Sequence, residues 1–362
     1  MNHAKVAVIK GDGIGPEVIK EALKILSKVA PLLNSKLDFT EYDLGASQYL
    51  KTKEAMAGSV WKELAASDAI LLGAVGDPRV PPGILEREVL LKIRFELDLY
   101  INLRPCILYE GAFTPIKNKS SRDIQFVVVR ENTESVYTGL GGVFKKGTLD
   151  EVAIQEDVNT RKGVERSIRY AFDYCKSRGF KNSLTLVDKA NVLTHAHGLW
   201  RRVFEEVGKE YSQVKRNAIY VDAACMDFVR RPENFDVLVT NNIFGDIITD
   251  LGAVISGGLG FAASANINAA QGLKLGRCSA LFEPVHGSAP DIVGKGLANP
   301  LAAILAAKMM LDYLGEKKAA QIIEEAVRSV VKSGKIFKPE SSDLAVSTSA
   351  VGDLVFSSLK EF

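Results

Sequence analysis

Short apolar runs alternate with amphipathic stretches along the chain: 5–10 then 16–30, 69–74 then 85–97, 183–187 then 194–211, and 236–240 then 243–255. Brief apolar runs suit buried strands, and the longer stretches after them carry the period of helices with one apolar face. That rhythm predicts an α/β protein. The triplet Val127-Val128-Val129 has no helical period and sits among β-favouring residues, so 124–130 reads as a buried strand. Residues 300–332 hold two helical patterns broken at Gly315. The segment 251–273 is uncharged, yet Gly252, Gly257, Gly258, Gly260, Asn266, Asn268 and Gln271 make it a glycine-rich loop and buried helix rather than a membrane span. Domain boundaries near Asn102 and Gly252 are only weakly marked.

A length of 362 residues suggests two lobes or one large α/β body. With 47% hydrophobic and 25% charged residues the chain is neither disordered nor fibrous. The 46 basic and 44 acidic side chains leave a net charge of +2, with no Lys/Arg run longer than a pair, so no nucleic-acid or membrane partner is expected. Cys106, Cys175, Cys225 and Cys278 lie far apart without a Cys-x-x-Cys, which argues against a disulfide framework or zinc ribbon. The first apolar run is cut by Lys10 and is too short for a secretory core, so a cytoplasmic location is expected.

Gly11-Asp12-Gly13-Ile14-Gly15-Pro16-Glu17 follows a strand and opens a helix, but its spacing is not that of a dinucleotide fingerprint. Pro16 takes the first helical position, and Glu17 places a carboxylate where a pyrophosphate would bind. A tight turn needing positive φ is the favoured reading.

Asp246 and Asp250 stand at i and i+4 on one helix face, among apolar neighbours. Burying two carboxylates there calls for a cation, and a hard divalent ion, Mg2+ or Mn2+, suits oxygen ligands. Asp222, after the apolar run 218–221, is a candidate third carboxylate. Arg94 on a helix, Arg104 before Pro105 and Arg130 at a strand end could converge on one pole of a sheet to bind a di- or tricarboxylate, although surface ion pairs would explain any one of them. Lys189 follows a strand and is either a desolvated base or a structural lysine, and Tyr137 is equally open. His195 and His197, two apart, would face different directions on a helix and are read as structural. The segment Glu283-Pro284-Val285-His286-Gly287-Ser288-Ala289-Pro290-Asp291-Ile292, running on to Asn299, is a binding loop or an interdomain connection. If it holds a dinucleotide, Asp291 would accept from ribose hydroxyls and repel a 2′-phosphate.

The turn at 11–17, Leu90-Leu91-Lys92-Ile93-Arg94, Asn102-Leu103-Arg104-Pro105, Asp188-Lys189-Ala190-Asn191-Val192-Leu193, 242–250 and 283–292 occur in an order that resembles the β-decarboxylating hydroxyacid dehydrogenases over nearly the whole chain. The isopropylmalate branch is the most similar. The resemblance implies a two-lobed α/β fold of the isopropylmalate/isocitrate dehydrogenase type, with a large mixed sheet flanked by helices, not a Rossmann fold. Residues 1–102 plus 253–362 would form a discontinuous nucleotide-binding lobe, and 103–252 the dimerisation and metal/substrate lobe. Arg94, Arg104 and Arg130 would hold the malate carboxylates, with Asp222, Leu90 and Leu91 also facing substrate. Asp222, Asp246 and Asp250 would bind Mg2+ or Mn2+, Lys189 would act as base and Tyr137 as acid. NAD would meet Ile14, Glu283, His286, Gly287, Ser288, Ala289, Asp291, Ile292 and Asn299. Lys189 and Asp222 would come from the other subunit of a homodimer.

Within the family, isocitrate enzymes typically place Ser and Asn where this chain has Glu88 and Leu90, and tartrate or D-malate enzymes usually have Lys-Ser-Asn where Lys189-Ala190-Asn191 stands. Both comparisons favour an isopropylmalate-type substrate over a tartrate, D-malate or isocitrate one. Glu88 also replaces a glycine common in isopropylmalate enzymes. A non-catalytic subunit of the same fold would have no chemical need for Lys189, Tyr137 and the three aspartates.

Overall fold

Continuous apolar runs become strands buried on both faces, because parallel sheets are covered by helices on each side. The computed structural model describes residues 2–359. Twelve strands are present among them: β1 (Asn2–Gly11), β2 (Ser35–Tyr42), β3 (Ala69–Ala74), β4 (Ile101–Ile107), β5 (Gln125–Glu131), β6 (Gly141–Phe144), β7 (Val152–Gln155), β8 (Ser183–Asp188), β9 (Lys215–Tyr220), β10 (Val237–Thr240), β11 (Ala263–Ile267) and β12 (Ala280–Pro284). Ten form one sheet in the order β2-β1-β3-β12-β11-β4-β5-β10-β8-β9. Both wings are parallel, whereas the central pairs β12–β11, β11–β4 and β4–β5 are antiparallel. The sheet is therefore the expected mixed one, and the two wings run in opposite directions.

The helix Gly15–Val29 buries Val18, Ile19, Ala22, Ile25 and Leu26, the i, i+3, i+4 positions of one stripe, against the apolar helix Leu301–Tyr313 and the first wing. Gly315, at φ +87°, separates that second helix from Lys317–Lys332, as the sequence pattern anticipated.

Three local expectations are corrected. Residues 251–273 hold the end of helix Asn242–Ile255 and then strand β11, not a further helix, because central antiparallel pairing on both sides satisfies the backbone of Ala263–Ile267. Arg104 does not end its run: β4 continues through Pro105, which is tolerated because pairing with β11 has stopped at Leu103. The helical stretch before Leu97 opens with a wider π-type segment, Glu86–Leu91, before the regular turn Lys92–Glu96.

The hairpin β6–β7 forms a separate two-stranded sheet that leaves Val143, Phe144, Val152 and Ile154 exposed.

Candidate active site

Side chains at alternate positions of a strand share a face, and the antiparallel centre sets several polar ones side by side. Asn102 pairs across the ladder with Arg130 on one side and Asn266 on the other, and Glu283 lies opposite Ser264. These groups form a buried polar row. Asn102 Nδ2 donates to Asn266 Oδ1 at 3.0 Å, Asn266 Nδ2 donates to Glu283 Oε1 at 2.9 Å, and Arg94 Nη2 donates to the same Glu283 oxygen at 2.8 Å. Arg104 Nε donates to Asn102 Oδ1 at 2.5 Å and its Nη1 to Thr249 Oγ1 at 2.7 Å. The three arginines thus meet over one face of the sheet's middle rather than at a pole, because the wings run in opposite directions and share no common C-terminal edge.

A cavity of about 260 Å3 lies over this row, lined on its charged side by Arg94, Arg104, Arg130, Tyr137, Asp246 and Glu283. Leu90 and Leu91 supply an aliphatic wall from the helical segment that also carries Arg94. Arg130 is almost wholly buried; its Nε donates to Asn242 Oδ1 at 2.9 Å and its Nη1 to Asp246. Gly245 makes this possible, since a Cβ there would lie 2.5 Å from the Arg130 side chain. Tyr137 Oη donates to the other Asp246 oxygen at 2.8 Å, and its ring lies against the Arg130 guanidinium. Arg104 lies 3.5 Å from Asp246 and 3.9 Å from Asp250.

The electrostatics fit an anion site. Burial, reinforced by the neighbouring Arg130 guanidinium, pushes Arg104 down to about 10. Such crowding of cations is relieved when an anionic ligand enters. Burial tends to raise Asp246, but Arg130 and Arg104 outweigh it and hold the carboxyl below its ordinary value. Asp250 is raised by burial, with the Asp246 charge adding to the effect against Arg104. Tyr137 is raised mainly by burial, so its phenol keeps its proton at neutral pH.

Two expectations about the carboxylates are revised. Their neighbours are arginines and a tyrosine rather than apolar side chains, and Asp246 and Asp250 retain 40% and 63% side-chain exposure. The apolar Ile247 and Val254 point outward instead. Asp222 stands elsewhere, in the first turn of Val221–Arg230, where it accepts from Lys189 Nζ at 2.6 Å. Lys189 is therefore partly exposed and paired with a carboxylate; of the two readings left open for it, the desolvated one does not hold within this chain. Neither residue lines the cavity, and among the described residues no group of three or more His, Cys, Asp or Glu is placed to hold a metal. Asp246 and Asp250 offer half of a hard-oxygen site.

The glycine turn has a structural role, as its pattern suggested. Asp12, which sequence reasoning passed over, accepts from the N–H groups of Ala46 (2.8 Å) and Gly76 (3.0 Å). Gly13, at φ +59°, lets the turn approach the later loop so closely that Ile14 N–H donates to Ser288 O at 2.9 Å. His286 and Gly287 line the cavity beside Glu283. His286 Nε2 is buried without a hydrogen-bond partner, which leaves a polar atom for a ligand to satisfy. Ala289 takes a left-handed φ of +43°, Asp291 is exposed in the short turn Pro290–Ile292, and Ile292 packs against the core. Asn299 Oδ1 accepts from Leu301 N–H at 3.1 Å at the start of the next helix. Glu283 is committed to Arg94 and Asn266. Of the residues that sequence reasoning did not assign to the site, Asn102 and Asn266 carried one signal, a polar side chain between apolar neighbours, whereas Asn242 and Thr249 carried none of that kind.

Arginines, a tyrosine and paired aspartates thus converge over the centre of a mixed sheet, an arrangement suited to binding a carboxylated ligand. Residues 5–355 match the isocitrate/isopropylmalate dehydrogenase family model, and the chain belongs to that family. It is 55% identical over 323 residues to the 3-isopropylmalate dehydrogenase of Thermobifida fusca, an overlap covering 89% of this chain and 90% of the relative. It is 49% identical over 357 residues to the 3-isopropylmalate dehydrogenase of Corynebacterium glutamicum strain R, covering 98% and 99% of the two chains. Its fold matches the isocitrate dehydrogenase of Methylococcus capsulatus with a TM-score of 0.86 at 37% identity, over 99% of this chain and 100% of that one.

Proposed function

We propose that the protein catalyses the NAD-dependent oxidative decarboxylation of (2R,3S)-3-isopropylmalate to 4-methyl-2-oxopentanoate and CO2, a step of leucine biosynthesis. The observation that carries this reading is the pairing of three convergent arginines with the aliphatic wall of Leu90 and Leu91 in one cavity. The arginines suit the two carboxylates, and the leucines suit an isopropyl group while offering nothing to a third carboxylate.

Arg94, Arg104 and Arg130 bind and orient the malate frame. Lys189, in its unprotonated form and through a water, would help remove the hydroxyl proton, and NAD, when bound, would supply the hydride acceptor for C2. Loss of CO2 from the resulting β-keto acid leaves an enolate, which Tyr137 Oη protonates at C3. Asp246 and Asp250, joined by Asp222, would hold Mg2+ or Mn2+, which supplies Lewis-acid polarisation of the oxygen on C2. The 283–292 loop, braced by the glycine turn, would hold NAD through His286, Gly287, Ser288, Ala289 and Ile292, with Ile14, Glu283 and Asn299 nearby and Asp291 at the adenosine ribose.

A homodimer completes the site. Lys189 and Asp222 lie outside their own chain's cavity; the exposed Met226 and Val229 follow Asp222 on its helix, and the exposed Ile247 and Val254 flank Asp250 on the helix packed against it. Exposed apolar residues on the same helices as the functional carboxylates support a second copy docking there, with the β6–β7 hairpin as a further contact. Residues 1–102 plus 253–362 and 103–252 form the two lobes in this reading, the division falling within β4. Four free cysteines and the absence, among the described residues, of a helix long and apolar enough to cross a membrane accord with a cytoplasmic enzyme.

NADH formation should be greatest with 3-isopropylmalate when it is compared with D-malate, tartrate and isocitrate; preference for any of the others refutes the substrate assignment. Mixing inactive Lys189→Ala with inactive Asp246→Ala protein should restore activity through one intact hybrid site. No recovery after demonstrated subunit exchange excludes a shared site.

A further inference from the structure

His197, read from the sequence as structural, lies at a junction of the groups assigned above. Its side chain is almost completely buried. Nδ1 lies 3.0 Å from the backbone N of Lys189 and accepts its proton. The ring is therefore unprotonated at Nδ1, and burial, outweighing Asp157 and Asp188, holds it below the ordinary histidine value. The neutral ring then carries its proton on Nε2. Asn241 Nδ2 lies 3.3 Å from Nε2 but is itself a donor, its amide oxygen being engaged by Phe244 N–H at the start of helix Asn242–Ile255. The nearest carboxylate oxygen to the Nε2 proton is Asp157 Oδ2, 3.8 Å away and beyond direct hydrogen-bond distance, a buried oxygen without a hydrogen-bond partner. The second oxygen of Asp157 accepts from Ser135 Oγ at 2.6 Å. Ser135, at φ +66°, begins the turn Val136–Thr138 that presents Tyr137.

We infer that His197 is the positioning residue for Lys189: Nδ1 holds the backbone of the base, while Nε2 faces the carboxylate of Asp157, which Ser135 joins to the turn carrying Tyr137. The inference rests on the assignment of Lys189 as base made above. The neighbouring Asp188 takes part from the other side, accepting from Ala190 N–H at 2.8 Å and Arg201 Nε at 2.7 Å, so the strand end on both sides of Lys189 is pinned. With Nδ1 removed, the lysine backbone loses its acceptor and the Nζ group loses its fixed origin, while the arginines that bind substrate are untouched.

Two substitutions separate this role from packing. Asparagine at 197 places an amide oxygen near Nδ1, whereas glutamine reaches the Nε2 position and leaves the Lys189 N–H without an acceptor. His197→Asn should keep kcat within about three-fold of the parent, and His197→Gln should lower it by about ten-fold or more with KM for 3-isopropylmalate and NAD unchanged, at matched melting temperatures. Equal kcat in the two variants, or kcat and KM falling together in step with stability, overturns the inference. The imidazole 15N spectrum of the unsubstituted protein should show a neutral ring protonated on Nε2, and a proton on Nδ1 also overturns it. Lys189→Ala serves as the reference. If that variant stays active, the assignment of the base has failed; if it is inactive while His197→Gln matches the parent, only the present inference has.

Discussion

Gly13→Ala tests whether the glycine turn serves the nucleotide loop rather than the helix it opens. The native residue sits at φ +59°, a left-handed conformation that costs an L-residue about 1–2 kcal/mol. Strain is the smaller effect. A Cβ at this position would lie 1.9 Å from Ser288 O, so the 283–292 loop must retreat by about 1.5 Å to reach ordinary contact. The bond from Ile14 N–H to Ser288 O at 2.9 Å is then lost, along with the placement of His286 and Gly287 at the cavity. A displacement of that size at a binding loop is worth roughly one to two orders of magnitude in binding or rate. The expected result, read by initial rates of NADH formation, is a KM for NAD raised about 10- to 100-fold. KM for 3-isopropylmalate should change little, and the melting temperature should fall by only a few degrees. Gly13→Asn separates the two causes, since asparagine tolerates left-handed φ but keeps the Cβ; it should be nearly as damaging. A KM for NAD within two-fold of the parent in both variants would refute the argument, and recovery in the asparagine variant alone would mean that strain, not contact with the loop, is decisive.

Leu90→Ala should reduce kcat/KM on 3-isopropylmalate by about an order of magnitude more than on D-malate, because burying the isopropyl carbons contributes on the order of 2 kcal/mol; equal losses would make Leu90 ordinary packing. Activity should vanish on chelation and return with Mg2+ or Mn2+, and Asp250→Asn should weaken metal binding measured by titration calorimetry without unfolding the protein, whereas full activity in excess chelator would remove the aspartates from the mechanism. NAD should be strongly preferred over NADP, since the exposed Asp291 carboxylate would face the 2′-phosphate; comparable kcat/KM with both cofactors would contradict that placement.

Local physics made much of this molecule legible. The run at 69–74 had to be a buried strand, Pro16 and Glu17 had to open a helix, and Asp246 and Asp250 had to share a helix face, because each depends on interactions within about one turn of chain. The order of short motifs was enough to suggest the family. Register and strand direction depend on partners far away, and these the tertiary structure alone decided. Asn102 and Asn266, 164 residues apart, meet only because β11 inserts antiparallel between β4 and β12. That inversion puts Arg104 in mid-strand over the sheet and removes the shared edge on which the arginines were expected to gather. Which of the two readings open for Lys189 applied was likewise decided by tertiary structure: the apolar run of β8 is buried to Asp188, but the residue after it emerges beside Asp222 at the far wing. The close approach of Gly13 to Ser288 is equally invisible in sequence, since a glycine's need for positive φ is a local property, whereas what it must fit against is brought there by the fold.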